Sequence, residues 1–119
     1  MPAAGRPTLA GPPLFVLMSL ASGPKHGHAL MKDITGFAMV RLGPGTLYGA
    51  IGRLEDRGLI AAMPAVDRRR PYELTSEGAA VLEASVAELR QIADEGASRL
   101  AILARARRRP RPSLGAEPA

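Results

Sequence analysis

Residues 43–60 read GPGTLYGAIGRLEDRGLI, and few stretches leave a chain less choice. Two glycines and a proline precede a run in which Leu47, Ala50, Ile51 and Leu54 recur at helical spacing. Pro44 suits a first helical turn, whose N–H groups have no partner inside the helix. Gly58 stands where helices usually stop. The pattern predicts one short amphipathic helix over Gly43 to Arg57, with an apolar stripe on one side. Gly45, Thr46, Tyr48 and Arg53 fall off that stripe. The start of the helix is therefore polar, unobstructed and turned outward.

The flanking segments give this helix its companions. LFVLMSLA follows Pro13 and is apolar nearly all round, which predicts a buried helix ending near Ser22-Gly23-Pro24. KHGHALMKDITGF carries Ala29, Leu30, Met31 and Ile34 on one helical face, with Lys32 and Asp33 turned away and Gly36 as a left-handed cap. FAMVRLGPG connects it onward and tucks Phe37, Met39 and Leu42 under the core. Leu59–Met63 and Pro71–Leu74 are short extended runs around the charged turn AVDRRR, a β-hairpin with a polar tip. Thr75 then precedes Ser76-Glu77-Gly78 as an N-cap, with an acid in the first turn of a long helix.

In that last helix Leu82, Val86, Leu89, Ala93, Gly96, Leu100 and Leu103 alternate at spacings of four and three, an a/d seam. A domain this small does not need so long a stripe for its own core. The seam is expected to pack against a second copy, giving a homodimer, with folding back onto the first helix as the alternative. From Arg105 the text RARRRPRPSLGAEPA reads as a disordered Arg/Pro-rich tail. The expected organisation is a flexible segment 1–12, a compact domain 13–75, a dimerisation helix 76–104 and a tail 105–119.

Charge sharpens this division. Met1 to Tyr72 holds nine Lys/Arg against four Asp/Glu, a net +5. Glu73 to Ser98 nets −5, and Arg99 to Ala119 returns to +5. Basic charge confined to particular segments points to a polyanion partner. There is no cysteine, which removes disulfides, thiolate metal sites and cysteine nucleophiles and fits a reducing compartment. The longest apolar run is too short to span a bilayer, so a cytoplasmic protein with no membrane partner is expected. No serine sits in a glycine-framed nucleophile turn, and no Gly-Lys-Ser/Thr occurs. The chain is not read as an enzyme, and no cofactor is expected.

Three helices followed by a hairpin make a mostly α fold with a small β element: a winged helix-turn-helix plus a long C-terminal helix. In that arrangement the third helix lies in the major groove of double-stranded DNA and the wing reaches a phosphate or the minor groove. The candidate DNA-binding residues are Gly45, Thr46, Tyr48 and Arg53 of the third helix, Arg68, Arg69 and Arg70 of the wing tip, and Lys25 and His26 before the second helix. The pair His26 and His28 also raises a metal-responsive alternative, but no third ligand is evident and no metal site is assigned. A winged helix used only as a protein-interaction module, docking through its acidic last helix, is the other alternative.

The same residues resemble the phenolic-acid-decarboxylase-regulator (PadR) family of bacterial transcriptional regulators. HGHALMKDI at His26 to Ile34, GPGTLYGAIGRLEDRGLI at Gly43 to Ile60 and RRRPYELTSEG at Arg68 to Gly78 carry the likeness, in order and at matching distances. The resemblance implies a homodimeric repressor of the subgroup with a single C-terminal helix, bound to a palindromic operator and released by a small aromatic or drug-like effector. His28 replaces a frequent aromatic residue, Gly96 stands in the last helix where a stronger helix former is expected, and no tryptophan is present for an aromatic ligand sandwich.

Overall fold

A computed structural model describes residues 7–109. Its elements are α1 (Pro12–Ala21), β1 (Lys25–His26), α2 (Gly27–Ala38), α3 (Pro44–Asp56), β2 (Ile60–Ala62), β3 (Pro71–Leu74) and α4 (Ser76–Arg108). The fold is mostly helical, with a small antiparallel sheet of order β1-β3-β2. Two compact units divide at Ala87 and Glu88. The first holds everything up to the early turns of α4, and the second is the remainder of that helix.

The core of the first unit is aliphatic, as four aromatic residues in the whole chain require. Val16, Leu17 and Leu20 of α1 meet Leu30 and Ile34 of α2, Leu47, Ala50, Ile51 and Leu54 of α3, and Leu59, Ile60 and Val81. The stripe expected on the third helix is the buried one, with each of its four residues at most 2% exposed. Leu42 is also buried, whereas Met39 is almost fully exposed.

The strands on either side of the wing lie where the sequence places them. Ile60 pairs with Leu74, Ala61 with Glu73 and Ala62 with Tyr72. The third strand was not anticipated. Lys25 pairs with Tyr72 and His26 with Pro71, so β1 covers the otherwise open edge of β3. A two-residue strand leaves no alternation for periodicity to detect.

Three boundaries differ from expectation. The second helix does not stop at Gly36 but runs to Ala38, and Met39 takes the left-handed position (φ 56°). Phe37 supports the two extra residues, because its ring packs edge-on against Phe15 with centroids 6.2 Å apart. The segment before α1 is attached in part: the Leu9 N–H donates to Ser85 Oγ at 3.0 Å, and Leu9 packs against the core. The last helix reaches Arg108, so Arg105 to Arg108 are helical. Arginine and alanine are good helix formers, and cations suit the C-terminal end of the helix dipole. The rest of the expected tail, and residues 1–6, lie outside the described residues.

Thr75 caps α4 as its position suggests. Its Oγ1 accepts from the Gly78 N–H at 3.0 Å and donates to the Gly58 carbonyl at 2.7 Å. The Thr75 N–H donates to the Leu59 carbonyl at 3.1 Å. That carbonyl presses on Gly78: a Cβ there would sit 1.9 Å from the Leu59 oxygen. Backbone cannot yield as a flexible side chain can, so Gly78→Ala is expected to cost about 3 kcal/mol of stability. Thr75→Ala, which loses the cap on the Gly78 N–H and the tie to the exposed Gly58 carbonyl, should cost about 1 kcal/mol. Urea denaturation of both variants beside the parent checks the order.

Candidate nucleic-acid interface

The start of α2, the outer side of α3 and the wing meet around a groove of about 290 Å³. His26 lines it from β1, Gly27 and His28 from α2, Tyr48 from α3, and Arg68, Arg69, Arg70 and Tyr72 from the hairpin. No carboxylate is among these residues. Three guanidinium groups beside a half-exposed phenol make a surface that favours an anion and offers a flat ring next to it.

Each side chain is held there by local structure. Val66 and Arg69 exchange both backbone hydrogen bonds, at 2.8 and 2.9 Å, and close a two-residue turn at Asp67-Arg68. Both central residues have positive φ, 51° and 66°, which is type I′ geometry. Glycine or asparagine usually occupies such positions, because a Cβ clashes in left-handed backbone. The turn places Arg68 at the tip with Arg69 and Arg70 behind it.

Tyr48 is fixed by its neighbour across the helices. A Cβ on Gly27 would fall 2.3 Å from the Tyr48 hydroxyl oxygen, so the phenol lies directly over that glycine. His26 is the N-cap of α2: Nδ1 accepts from the Ala29 N–H at 3.3 Å, while Nε2 lies 3.4 Å from Arg69 Nη1. A neutral imidazole has one acceptor nitrogen, so it can serve the helix amide or the guanidinium, not both. Arg69 is thus left with donors to spare for an outside anion.

The remaining expected residues divide. Gly45 and Thr46 are exposed at the first turn of α3. Arg53 reaches back along the helix, its Nη1 3.4 Å from where a Gly49 Cβ would stand, with no ion pair among the described residues. Lys25 is not part of this surface. Its ammonium is engaged by the Ser19 carbonyl, Ser22 Oγ and the Gly23 carbonyl, and lies 4.0 Å from Asp33. Position before a helix suggested a phosphate contact, but the β1 pairing turns the side chain toward the end of α1.

His28 and Tyr72 join the groove without having been assigned to it. The His28 ring is nearly parallel to that of His26, centroids 6.4 Å apart. The residue sits two positions from the cap, and nothing in its local sequence assigns it to this surface. Among the described residues no group of three or more His, Cys, Asp or Glu side chains is placed to hold a metal ion. No helix among them is long and apolar enough to cross a membrane.

Three packed helices, a basic hairpin and an exposed third-helix start define a winged helix-turn-helix DNA-binding regulator. The family model described as "Transcriptional regulator PadR-like family" matches residues 16–84, and the chain belongs to that family. Members of that family are transcriptional regulators, not enzymes. The fold is similar to that of a PadR family transcription regulator from Clostridium difficile, with TM-score 0.68 and 26% identity over 75% of this chain and 97% of the other. It is likewise similar to a PadR family transcriptional regulator from Eggerthella lenta, with TM-score 0.60 and 29% identity over 71% of this chain and 80% of that one. A 37.1 kDa protein in transposon TN4556 of Streptomyces fradiae is 44% identical over 70 residues, 59% of this chain. The match spans only 20% of that protein's length.

Gly27→Ala tests the seating of Tyr48. The obstacle is a side chain that can swing away, so thermal stability should change little while affinity for a cognate duplex falls. Arg68→Gly relieves a left-handed non-glycine residue, so the melting temperature should hold or rise. Loss of one phosphate contact should meanwhile lower the slope of log affinity against log salt by about 0.9.

Proposed function

We propose that the protein is a homodimeric repressor that binds a palindromic operator in double-stranded DNA and releases it when a small aromatic or drug-like effector binds. Gly45, Thr46, Tyr48 and Arg53 of α3 would face the major groove. Arg68, Arg69 and Arg70 of the wing, with His26 beside them, would grip the flanking phosphates. The carrying observation is the groove in which α2, α3 and the wing gather Tyr48, His26 and three arginines with no carboxylate. A regulator of this kind works in the cytoplasm, beside the chromosome.

The second unit supports the dimer. Leu89, Ala93, Gly96, Leu100 and Leu103 are all exposed along one stripe, with Leu100 at 65%. The spacing of the seam is symmetric: Leu89 and Leu100 flank Ala93 and Gly96, and Val86 and Leu103 lie beyond them. An antiparallel second copy would therefore match a to d positions throughout, with the small pair at the centre allowing close approach. A parallel copy would set Arg105, Arg107 and Arg108 against themselves. Leu82, the first residue of the seam, packs partly against the core of the first unit.

Two recognition helices on one face of a duplex need a separation of about 34 Å, and the dimer would set it. An effector acts only if it binds the released state better than the DNA-bound one.

Fluorescence anisotropy against DNA from upstream of the protein's own gene, with a scrambled duplex beside it, tests the reading. At physiological salt the native duplex should bind at least about a hundredfold tighter, and Thr46→Ala or Tyr48→Ala should lower that preference. Equal, weak binding to that duplex and to genome-selected fragments would instead favour a protein-interaction module. Leu100→Glu should convert a dimer to a monomer in light-scattering chromatography, with the helical signal of the first unit retained.

A further inference from the structure

A second groove, about 650 Å³, lies between α2 and the turn that leads into α3. It shares no lining residue with the wing groove. Sites for small molecules commonly hold about 300–1,000 Å³. Its walls are apolar where they are rigid: Leu42 is only 7% exposed and belongs to the core, Met31 packs against that core, and Pro44 opens α3. Its charged lining is wholly cationic. Lys32 from α2 and Arg41 from the turn are both exposed, and neither makes a hydrogen bond or ion pair among the described residues. The Thr35 hydroxyl, also at the groove, is already donated to the Met31 carbonyl.

We propose that this groove binds a small organic anion with a short apolar body. The apolar part lies against Met31, Leu42 and Pro44, and a carboxylate or sulfonate meets Lys32 and Arg41. A bare phosphate would satisfy the two cations and leave the apolar walls uncovered; a neutral hydrocarbon would do the reverse. An amphipathic anion answers both. The occupant touches α2 and the first residue of α3 together. Gly45 and Thr46 follow Pro44 directly on α3, and an occupant would take up the positive charge of Lys32 and Arg41 beside that helix start, so binding should oppose operator binding. This last consequence rests on the proposed function above, whereas the site itself does not.

The test uses the full chain, 2-naphthalenesulfonate as probe and two-dimensional amide NMR. Saturable shifts are expected at Met31, Leu42, Gly43 and Gly45. The neutral 2-naphthalenesulfonamide, and separately the double variant Lys32→Gln with Arg41→Gln, should each weaken binding by about tenfold or more. Both residues are exposed, so the variant should keep the parent's circular dichroism and melting temperature. Shifts confined to the Leu89 to Leu103 stripe, no saturable shift at all, or equal affinity in the double variant would overturn the proposal. So would a wild type that ignores the probe while the double variant loses salt dependence on duplex DNA, since the cations would then serve a phosphate. If no duplex is bound specifically, the probe titration still decides the site and the operator reading fails alone. Where a cognate duplex is bound, saturating probe should weaken it, and unchanged affinity would overturn the coupling.

Discussion

The contact on which the wing depends is between two pieces of backbone. The Leu59 carbonyl lies against the Cα of Gly78, in space that a side chain would otherwise fill, and it accepts from the Thr75 N–H. The Thr75 hydroxyl ties the same junction to the Gly58 carbonyl while capping α4. Residues 58 and 59 open the hairpin and residues 75–78 close it, so both ends of the wing are pinned at one place. A hairpin anchored in this way holds its tip at a defined distance from α3. That distance is what lets the wing arginines and Tyr48 line the same groove.

Apolar stripes on α2 and α3 were legible because burial imposes a period on the sequence, and Leu47, Ala50, Ile51 and Leu54 show it directly, whereas α1 was legible as a run apolar nearly all round. The hairpin was legible from its turn chemistry and flanking runs, and the cap of α4 from the hydroxyl at Thr75. Elements fixed by tertiary contact were not. Nothing local to Lys25 and His26 announces a strand, whose cause is the unpaired edge of Pro71 and Tyr72. Nothing near Gly36 announces two more helical residues, whose support comes from Phe15 in another helix.

The candidate site follows the same division. Tyr48 and the wing arginines could be read from one dimension, since each lies on the outward side of a recognisable element. Lys25 could not be placed from the sequence, because charge says nothing about direction: its ammonium is bound at the end of α1. The part played by Gly27 is invisible without the fold, because only the packing of α2 on α3 brings the Tyr48 ring over it. Sequence thus names the groups that can make contact, while packing decides which of them share a surface.

The wing turn sets charge against ease of folding at a single position. Asp67 and Arg68 both hold left-handed backbone that glycine would adopt without strain. For a residue with a Cβ that conformation costs on the order of 1 kcal/mol. The paired backbone hydrogen bonds of Val66 and Arg69 hold the turn closed against it. The guanidinium at the tip is thus carried by a backbone that favours a residue with no side chain at all.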